Sequence, residues 1–132
     1  MDLSILIVNY KNSATLPDCL DSVYKTTKGL EFEVIVVDND SKDTGLKTVQ
    51  KKFPQTRWIQ NNANQGFAKA NNQAVAISRG NALLFLNPDT QLTENATQAM
   101  IAQLKPDSAT GAVGPKVLNP DGSLQSSCRT FP

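Results

Sequence analysis

The sequence of 132 residues contains no histidine. A Ser-His-Asp or Cys-His nucleophile cannot be assembled from it, nor can a His-ligated zinc site. Any chemistry must run on carboxylates, amides, hydroxyls and lysines. Cysteine is scarce as well: Cys19 and Cys128 lie far apart, and no Cys/His metal spacing exists. Cys19 falls on the apolar face of an expected helix and reads as a small buried hydrophobe. An excess of either charge is also missing. Lys and Arg number 13 against 12 Asp and Glu, a formal net charge of +1, so no global field recruits nucleic acid or an anionic membrane. Long apolar runs are absent too. Residues 82–86 are among the longest, far below the roughly 20 that a membrane helix needs. The N-terminus enters a strand-like segment with no basic-then-apolar leader. These absences lead to the expectation of a cytoplasmic chain whose partners must be read locally, with no nucleic acid among them.

The 39% of hydrophobic residues is enough for one core, so residues 1–132 are expected to form one domain. Residues 3–8 (LSILIV) are nearly all apolar, which marks a strand covered on both faces as in parallel sheets. From Thr15 onward Leu16, Cys19, Leu20, Val23 and Tyr24 recur at helical spacing, with Ser13 or Thr15 as cap and Pro17 in the first turn. Residues 32–37 (FEVIVV) form a second buried strand. Leu46, Val49 and Phe53 stripe a second helix, and residues 57–60 are a short third strand. Phe67, Ala70, Ala74 and Ile77 mark a third helix that stops at Gly80, with Phe67 placed in the core by its stripe, and residues 82–86 are the fourth strand. Strands alternating with helices predict a doubly wound, mostly parallel α/β sheet with helices on both faces.

Beyond Asp89 the spacing predicts one more helix from about Thr93 to Leu104 and a short strand over residues 111–114. Asn119-Pro120-Asp121-Gly122 is a turn signature between residues 116–118 and 123–125, so a β-hairpin arm is expected there.

In open α/β sheets ligands bind outside the carboxyl ends of the strands. The residues there are Asn9-Tyr10, Asp38-Asn39-Asp40-Ser41, residues 61–66 and Asn87-Pro88-Asp89. Any one of these reads equally well as caps and turn residues; four polar ends on one rim point to a site. The glycines form neither G-x-G-x-x-G nor a phosphate loop. A carboxylate repels a diphosphate, so Asp89 serves such a ligand only through a divalent cation. Mg²⁺ accepts one or two carboxylates together with phosphate oxygens and water. Pro88, which lacks an N–H, fixes the backbone where the strand ends.

At this point the chain resembles the family-2 glycosyltransferases of GT-A fold. The resemblance is carried by Ser4-Ile5-Leu6-Ile7-Val8-Asn9-Tyr10, by Val37-Asp38-Asn39-Asp40-Ser41 with Asp43, by Asn64-Gln65-Gly66-Phe67-Ala68-Lys69-Ala70-Asn71-Asn72, and by Gly80 through Asn87-Pro88-Asp89. It covers essentially the whole chain, in the family's order. Asn87-Pro88-Asp89 falls where the family carries its D-x-D metal motif, with Asn in place of the first Asp, a variant similar to the rhamnosyltransferase-type branch. Arg129-Thr130-Phe131-Pro132 resembles a segment of that branch.

The resemblance implies roles. Asp38 would accept a hydrogen bond from the imide N–H of uracil or thymine, which suits a group that only accepts. Tyr10 would stack on or line the base, although it can equally cover the sheet edge, and Val8 and Asn9 would offer backbone contacts. Asn71 sits where relatives contact the base edge, and Asn64 and Gly66 would shape the loop at the helix start. Asp89 would bind Mg²⁺ or Mn²⁺ on the diphosphate, and Asn87 would contact ribose or a metal-bound water.

The activity implied is transfer of a sugar, rhamnose if the branch holds, from a UDP- or dTDP-sugar to an acceptor hydroxyl with inversion, in cell-surface polysaccharide synthesis. The acceptor would be a glycan or a lipid-linked sugar. Relatives carry the base for such a reaction after the hairpin, in the acceptor-binding half. Downstream of Asp89 the acids are Glu94, Asp107 and Asp121, none in the context of a base. The expectation is a donor-binding portion that precedes the acceptor half, inactive alone, with the base beyond Pro132 and any contact with the inner membrane face made by other parts. Two rivals are a sugar-nucleotide-binding protein without catalysis and a receiver-type signalling domain. The latter wants an acidic pair after the first strand, where Asn9-Tyr10 stands.

Overall fold

The computed structural model describes residues 1–104 and 109–126. Asp107, Cys128 and the segment 129–132 lie outside the described residues. The chain forms two compact units, Met1–Gln98 and Ala99–Pro132.

The elements run β1 (Leu3–Asn9), α1 (Leu16–Thr26), β2 (Phe32–Asp38), α2 (Leu46–Lys52), β3 (Arg57–Gln60), α3 (Phe67–Ile77), β4 (Ala82–Leu86) and α4 (Ala96–Gln103). The strands form one sheet in the order β3-β2-β1-β4, and every pairing is parallel. The alternation expected from the apolar spacing is therefore the architecture observed. All seven residues of β1 are buried, as the unbroken run LSILIVN requires of a central parallel strand.

Successive side chains of a strand point to opposite faces. On one face Leu6, Val8, Ile35 and Val37 pack against Ala70 and Ala74 of α3, whose small side chains let the helix lie close to the sheet. On the other face, shared by Ile5, Ile7, Phe32, Val34 and Val36, Tyr24 of α1 stacks on Phe53 with ring centroids 5.9 Å apart and touches Phe32 at 5.8 Å. The Tyr24 hydroxyl and the Thr56 hydroxyl are 2.8 Å apart. Cys19 is fully buried on the inner face of α1, as its position in the stripe predicts.

Three details differ from expectation, and the exposure within β4 is a fourth that the sequence leaves open. Neither Ser13 nor Thr15 caps α1: the Ser13 hydroxyl donates to Asp43, and Thr15 Oγ1 donates to the Asn12 carbonyl. Phe67 is 63% exposed rather than in the core. It is the first residue of α3, a turn before Ala70, and so lies past the strand ends that the helix covers. In β4, Leu83 and Phe85 are exposed, because they stand level with Ser4 and Leu6 on the face of α3 while that helix lies over β1 and β2. Residues 111–114 form no strand, having no ladder partner among the described residues.

Gly80 leads the chain into β4, and its N–H donates to Ser4 Oγ at 2.8 Å. A Cβ there would stand 2.3 Å from Ser4 N and 2.5 Å from the Leu3 carbonyl carbon, main-chain atoms of β1 that cannot turn aside. Gly80→Ala is expected to cost about 2 kcal/mol or more of unfolding free energy. Urea unfolding measures it; an unchanged midpoint would mean that β4 slides on β1 without penalty.

In the second unit the turn at residues 119–122 forms as its residues dictate. Asn119 N donates to Ser123 O at 2.8 Å, Gly122 N to Asn119 O at 2.9 Å, and Gly122 takes a φ of 84°. The hairpin is held by one antiparallel bridge, Leu118 to Leu124, with Gln125 N donating to Val117 O at 3.0 Å. No helix among the described residues is long and apolar enough to cross a membrane.

Candidate nucleotide-binding site

The carboxyl ends of the strands meet in register. Asn9 stands opposite Asp38, Asp38 opposite Gln60, and Leu86 of β4 level with Ile7. Backbone bonds carry the ladder one residue further, from Asn39 N to Asn9 O at 2.8 Å and from Asn61 N to Asp38 O at 2.9 Å. A cavity of about 290 Å³ borders this rim at Gln60 and is lined across from it by Lys42, Asp43, Leu46 and Lys47.

The centre of the rim is a buried polar knot. Asn9, Asp38 and Ser41 are 0%, 1% and 4% exposed. Asp38 Oδ1 accepts from Asn9 Nδ2 at 2.8 Å and from the Ser41 hydroxyl, and Asp38 Oδ2 accepts from Ser41 N at 3.3 Å. Ser41 Oγ in turn accepts from Asn9 Nδ2 at 3.1 Å and from Lys11 N at 3.0 Å. Asn9 Oδ1 is buried without a hydrogen-bond partner among the described residues. The loops leaving β1 and β2 take left-handed backbone at Lys11, Asp40 and Lys42, with φ of 59°, 63° and 51°. Such conformations in non-glycine residues cost of order 1 kcal/mol each and persist where surrounding bonds over-determine them, here those to Ser41.

Past β3 the loop of residues 61–66 is clamped by Asn39, which is 2% exposed. Asn39 Oδ1 accepts from Gln65 N at 2.8 Å and from Asn61 Nδ2 at 3.2 Å; its Nδ2 donates to Asn64 Oδ1 at 2.7 Å and to Gly66 O at 3.4 Å. Asn64 Oδ1 also accepts from Gly66 N at 2.9 Å. The side-chain amides of Asn61 and Gln73 exchange two bonds at 2.8 and 3.0 Å, tying the loop to the middle of α3.

At the end of β4 the turn Asn87-Pro88-Asp89-Thr90 closes around one carbonyl. Asn87 O accepts from Thr90 Oγ1 at 2.7 Å, from Thr90 N at 3.2 Å and from Cys19 Sγ at 3.5 Å. Pro88 is buried, while Asn87 and Asp89 face solvent. Burial pushes the Cys19 thiol up to about 12, and the nearby charge of Asp89 adds to the rise, so this thiol stays protonated and acts as a donor. The Asn87 main-chain carbonyl, Pro88 and Thr90 thus fix the turn and leave the Asp89 carboxylate outward.

The Asp89 carboxylate makes no ion pair or hydrogen bond among the described residues. No group of three or more Cys, Asp or Glu side chains among them could hold a metal by itself. One exposed acid fits a divalent cation only when a ligand's phosphates and water complete the coordination.

The other sequence-predicted residues divide. Tyr10 is 41% exposed at the rim, with Lys11 Nζ 5.0 Å from its ring centroid. Val8 is a core side chain against α3. Asn71 is buried at 6% exposure, its Nδ2 donating to Phe67 O at 3.0 Å within α3. Asp43 Oδ1 accepts from Gly45 N at 2.9 Å, and the Ser13 hydroxyl donates to its other oxygen; these bonds hold the acid below its usual range just before α2. Asn9, Asp38, Asn64 and Gly66 are joined through Asn39, whose role sequence reasoning missed along with those of Ser41, Asn61 and Gln73. Asn39 and Ser41 flank Asp40 in the same polar run, which was the available signal; nothing in the spacing pairs Asn61 with Gln73.

A parallel sheet layered by helices on both faces, with a polar rim at the strand ends, is an α/β domain of GT-A type. The chain belongs to glycosyl transferase family 2, whose description matches residues 4–127. An uncharacterized glycosyltransferase of Haemophilus influenzae is 39% identical over 87 residues, 66% of this chain and 29% of that protein. A PGL/p-HBAD biosynthesis glycosyltransferase of Mycobacterium bovis is 36% identical over 102 residues, 75% of this chain and 40% of the other. An N-acetylglucosaminyl-diphospho-decaprenol L-rhamnosyltransferase of Mycobacterium tuberculosis is 27% identical over 98% of this chain and 46% of its own length. The chain thus spans less than half the length of these relatives. Among solved structures, S. aureus TarS 1-349 in complex with UDP-GlcNAc superposes with a TM-score of 0.70 at 27% identity, over 77% of this chain and 30% of that one.

Proposed function

We propose that residues 1–132 are the donor-binding part of an inverting glycosyltransferase that takes a sugar from a UDP- or dTDP-sugar. The observation that carries this reading is the Asn9–Asp38–Ser41 knot, a buried carboxylate at the strand ends held in place by its own neighbours. Among the described residues its Oδ2 has a single long bond, to Ser41 N, and keeps a lone pair for the imide N–H of a uracil or thymine base. Tyr10, exposed at the same rim, offers its ring to the base, and Asn64 and Gly66 shape the approach to α3. The solved relative that binds UDP-GlcNAc supports a nucleotide-sugar donor.

Asp89, with Asn87 beside it, would hold Mg²⁺ or Mn²⁺ shared with the diphosphate. A cation bound there supplies charge neutralisation for the leaving diphosphate. Asp121 is spent on its own turn, accepting from Ser123 N at 2.9 Å and Ser123 Oγ at 2.6 Å, bonds that hold it below its usual range. Its carboxylate is engaged in that turn and not free to serve as the base for an acceptor hydroxyl, a role the proposal leaves to another residue. Rhamnose as the sugar, a glycan or lipid-linked acceptor, and a cytoplasmic place beside the inner membrane face complete the proposal; the rhamnosyltransferase relative supports the first.

Calorimetric titration with UDP and dTDP, each with and without Mn²⁺, tests it on the wild type and Asp89→Ala. Binding strengthened by Mn²⁺ is expected, with about a tenfold loss in Asp89→Ala, worth about 1.4 kcal/mol. Equal affinity of the two proteins in Mn²⁺ would remove Asp89 from the cation. Failure of the folded wild type to bind either nucleotide would remove the donor site.

A further inference from the structure

We propose that Asn39 is the positioning residue of this site, holding the loop of residues 61–66 in its nucleotide-receiving form, and that the position requires an amide and not a carboxylate. The inference rests on the donor-binding reading above and names a residue which that reading does not use.

A carboxamide has two N–H donors and two acceptor lone pairs, and Asn39 uses all four. Both acceptor bonds come from the loop, from Gln65 N and Asn61 Nδ2, and both donor bonds go to it, to Asn64 Oδ1 and Gly66 O. The pattern also fixes the orientation of the amide. Turned over, it would set Nδ2 against the Gln65 N–H and Oδ1 against the oxygens of Asn64 and Gly66.

The consequence reaches the start of α3. Asn64 Oδ1, held by Asn39, is the acceptor for Gly66 N, and Gly66 stands at the head of the helix with φ 78° and no side-chain cap to secure it otherwise. Release of Asn64 therefore frees both the left-handed turn at Gly66 and the amides that follow it. Asp38 and Asn39 are consecutive, so the end of β2 carries the proposed base acceptor and the loop clamp side by side. The backbone bond from Asn39 N to Asn9 O ties both to β1. A loop displaced by about 1 Å in a positioned site loses affinity or rate steeply, which is why a residue without ligand contact can matter.

Aspartate is nearly isosteric with asparagine but has no donor when ionised. Asn39→Asp would keep the bonds from Gln65 N and Asn61 and set a carboxylate oxygen against Asn64 Oδ1 and Gly66 O. The experiment is UDP titration of the folded wild type, Asn39→Asp, Asn64→Ala and the double variant, with amide exchange followed residue by residue without ligand. Asn64 is exposed, so its truncation leaves the core intact and serves should Asn39→Asp fail to fold. The expected result is about tenfold weaker UDP binding in each single variant and no further loss in the double, since both act through one loop. Exchange at Gln65 and Gly66 should quicken while the β1–β2 ladder stays protected. Wild-type affinity in Asn39→Asp, or in Asn64→Ala if that alone folds, overturns the inference and leaves the donor site standing. Exchange quickened across the whole sheet also overturns it, by making Asn39 a general stabiliser. If the wild type itself binds neither UDP nor dTDP, the donor reading falls and the inference with it.

Discussion

Glu33→Ala is expected to lower the unfolding free energy by about 3 kcal/mol, a large share of the roughly 5–15 kcal/mol that holds a domain folded. Glu33 lies at the opposite end of the sheet from the candidate site, level with Ser4, and is 8% exposed. Its Oε1 accepts from Ser4 Oγ at 2.8 Å and Arg79 N at 2.6 Å, and its Oε2 from Arg57 Nη1 at 2.6 Å and Arg79 Nη2 at 3.4 Å. Arg57 opens β3 and also donates to Ile77 O at 2.9 Å, so one carboxylate joins β1, β2, β3 and the connection from α3 to β4. Its removal leaves the Ser4 hydroxyl without its acceptor and the Arg79 amide with only its 3.2 Å bond to Ser4 Oγ. The guanidinium groups, with side chains 37% and 65% exposed, can turn to water, which keeps the cost at the low end for a broken buried pair.

The pH dependence of this loss has a definite sign. Burial raises the Glu33 carboxyl, but the hydrogen bonds from Arg57, Ser4 and Arg79 N, with the charge of Arg57, more than offset that and hold it below its usual 4.5. A group depressed in the folded state stabilises fully above its unfolded value and loses that contribution as pH falls through the folded one. Urea unfolding of wild type and Glu33→Ala should therefore differ by the full amount at pH 6–7 and draw closer as pH falls below about 4.5. A difference that persists unchanged into acid would mean that packing, not charge, accounts for the loss. UDP binding by the folded fraction should be untouched, since no part of this cluster lies at the rim.

The framework of the first unit was legible because parallel strands buried on both faces are written as unbroken apolar runs. LSILIV and FEVIVV leave no other place for such segments than the middle of a sheet, and Ala70 and Ala74 mark the helix that must lie close to them. Phe67 shows where such reading stops. Its periodicity is that of the α3 stripe, yet a stripe does not say how far the sheet beneath it extends. The exposure of Leu83 and Phe85 was illegible for a related reason: an apolar edge strand reads the same whether or not a helix covers it.

At the rim the residue types were legible and most of the partnerships were not. Polar residues just past each strand announced a site, and Asp38, Asn9, Asn64 and Gly66 fall in one connected network. The clamp by Asn39 could not be read, because Asn in a turn has many local uses and its partners lie 22 to 27 positions away. Nor did the spacing show that Asn71 would spend its amide inside its own helix.

Asp38→Asn is expected to weaken UDP binding by about 10- to 100-fold, the loss of a hydrogen bond to a charged acceptor of about 1.5–3 kcal/mol. The substitution keeps shape and volume. If Oδ1 retains its bonds from Asn9 and Ser41, the new Nδ2 takes the place of Oδ2, and an N–H then faces the imide N–H of the base. Donor against donor is worse than an empty place. UDP and dTDP carry the same imide and should suffer alike. Cytosine offers an acceptor nitrogen at that ring position, so CDP should bind Asp38→Asn more tightly than it binds the wild type. The ratio of UDP to CDP affinity is therefore the decisive measurement, because it cancels any general damage to the fold. A ratio that falls steeply places Asp38 against the base edge. Equal losses for UDP and CDP would make Asp38 only the tie between Asn9 and Ser41, a brace for the left-handed loops at Lys11, Asp40 and Lys42, and the base would have to be read by another rim residue.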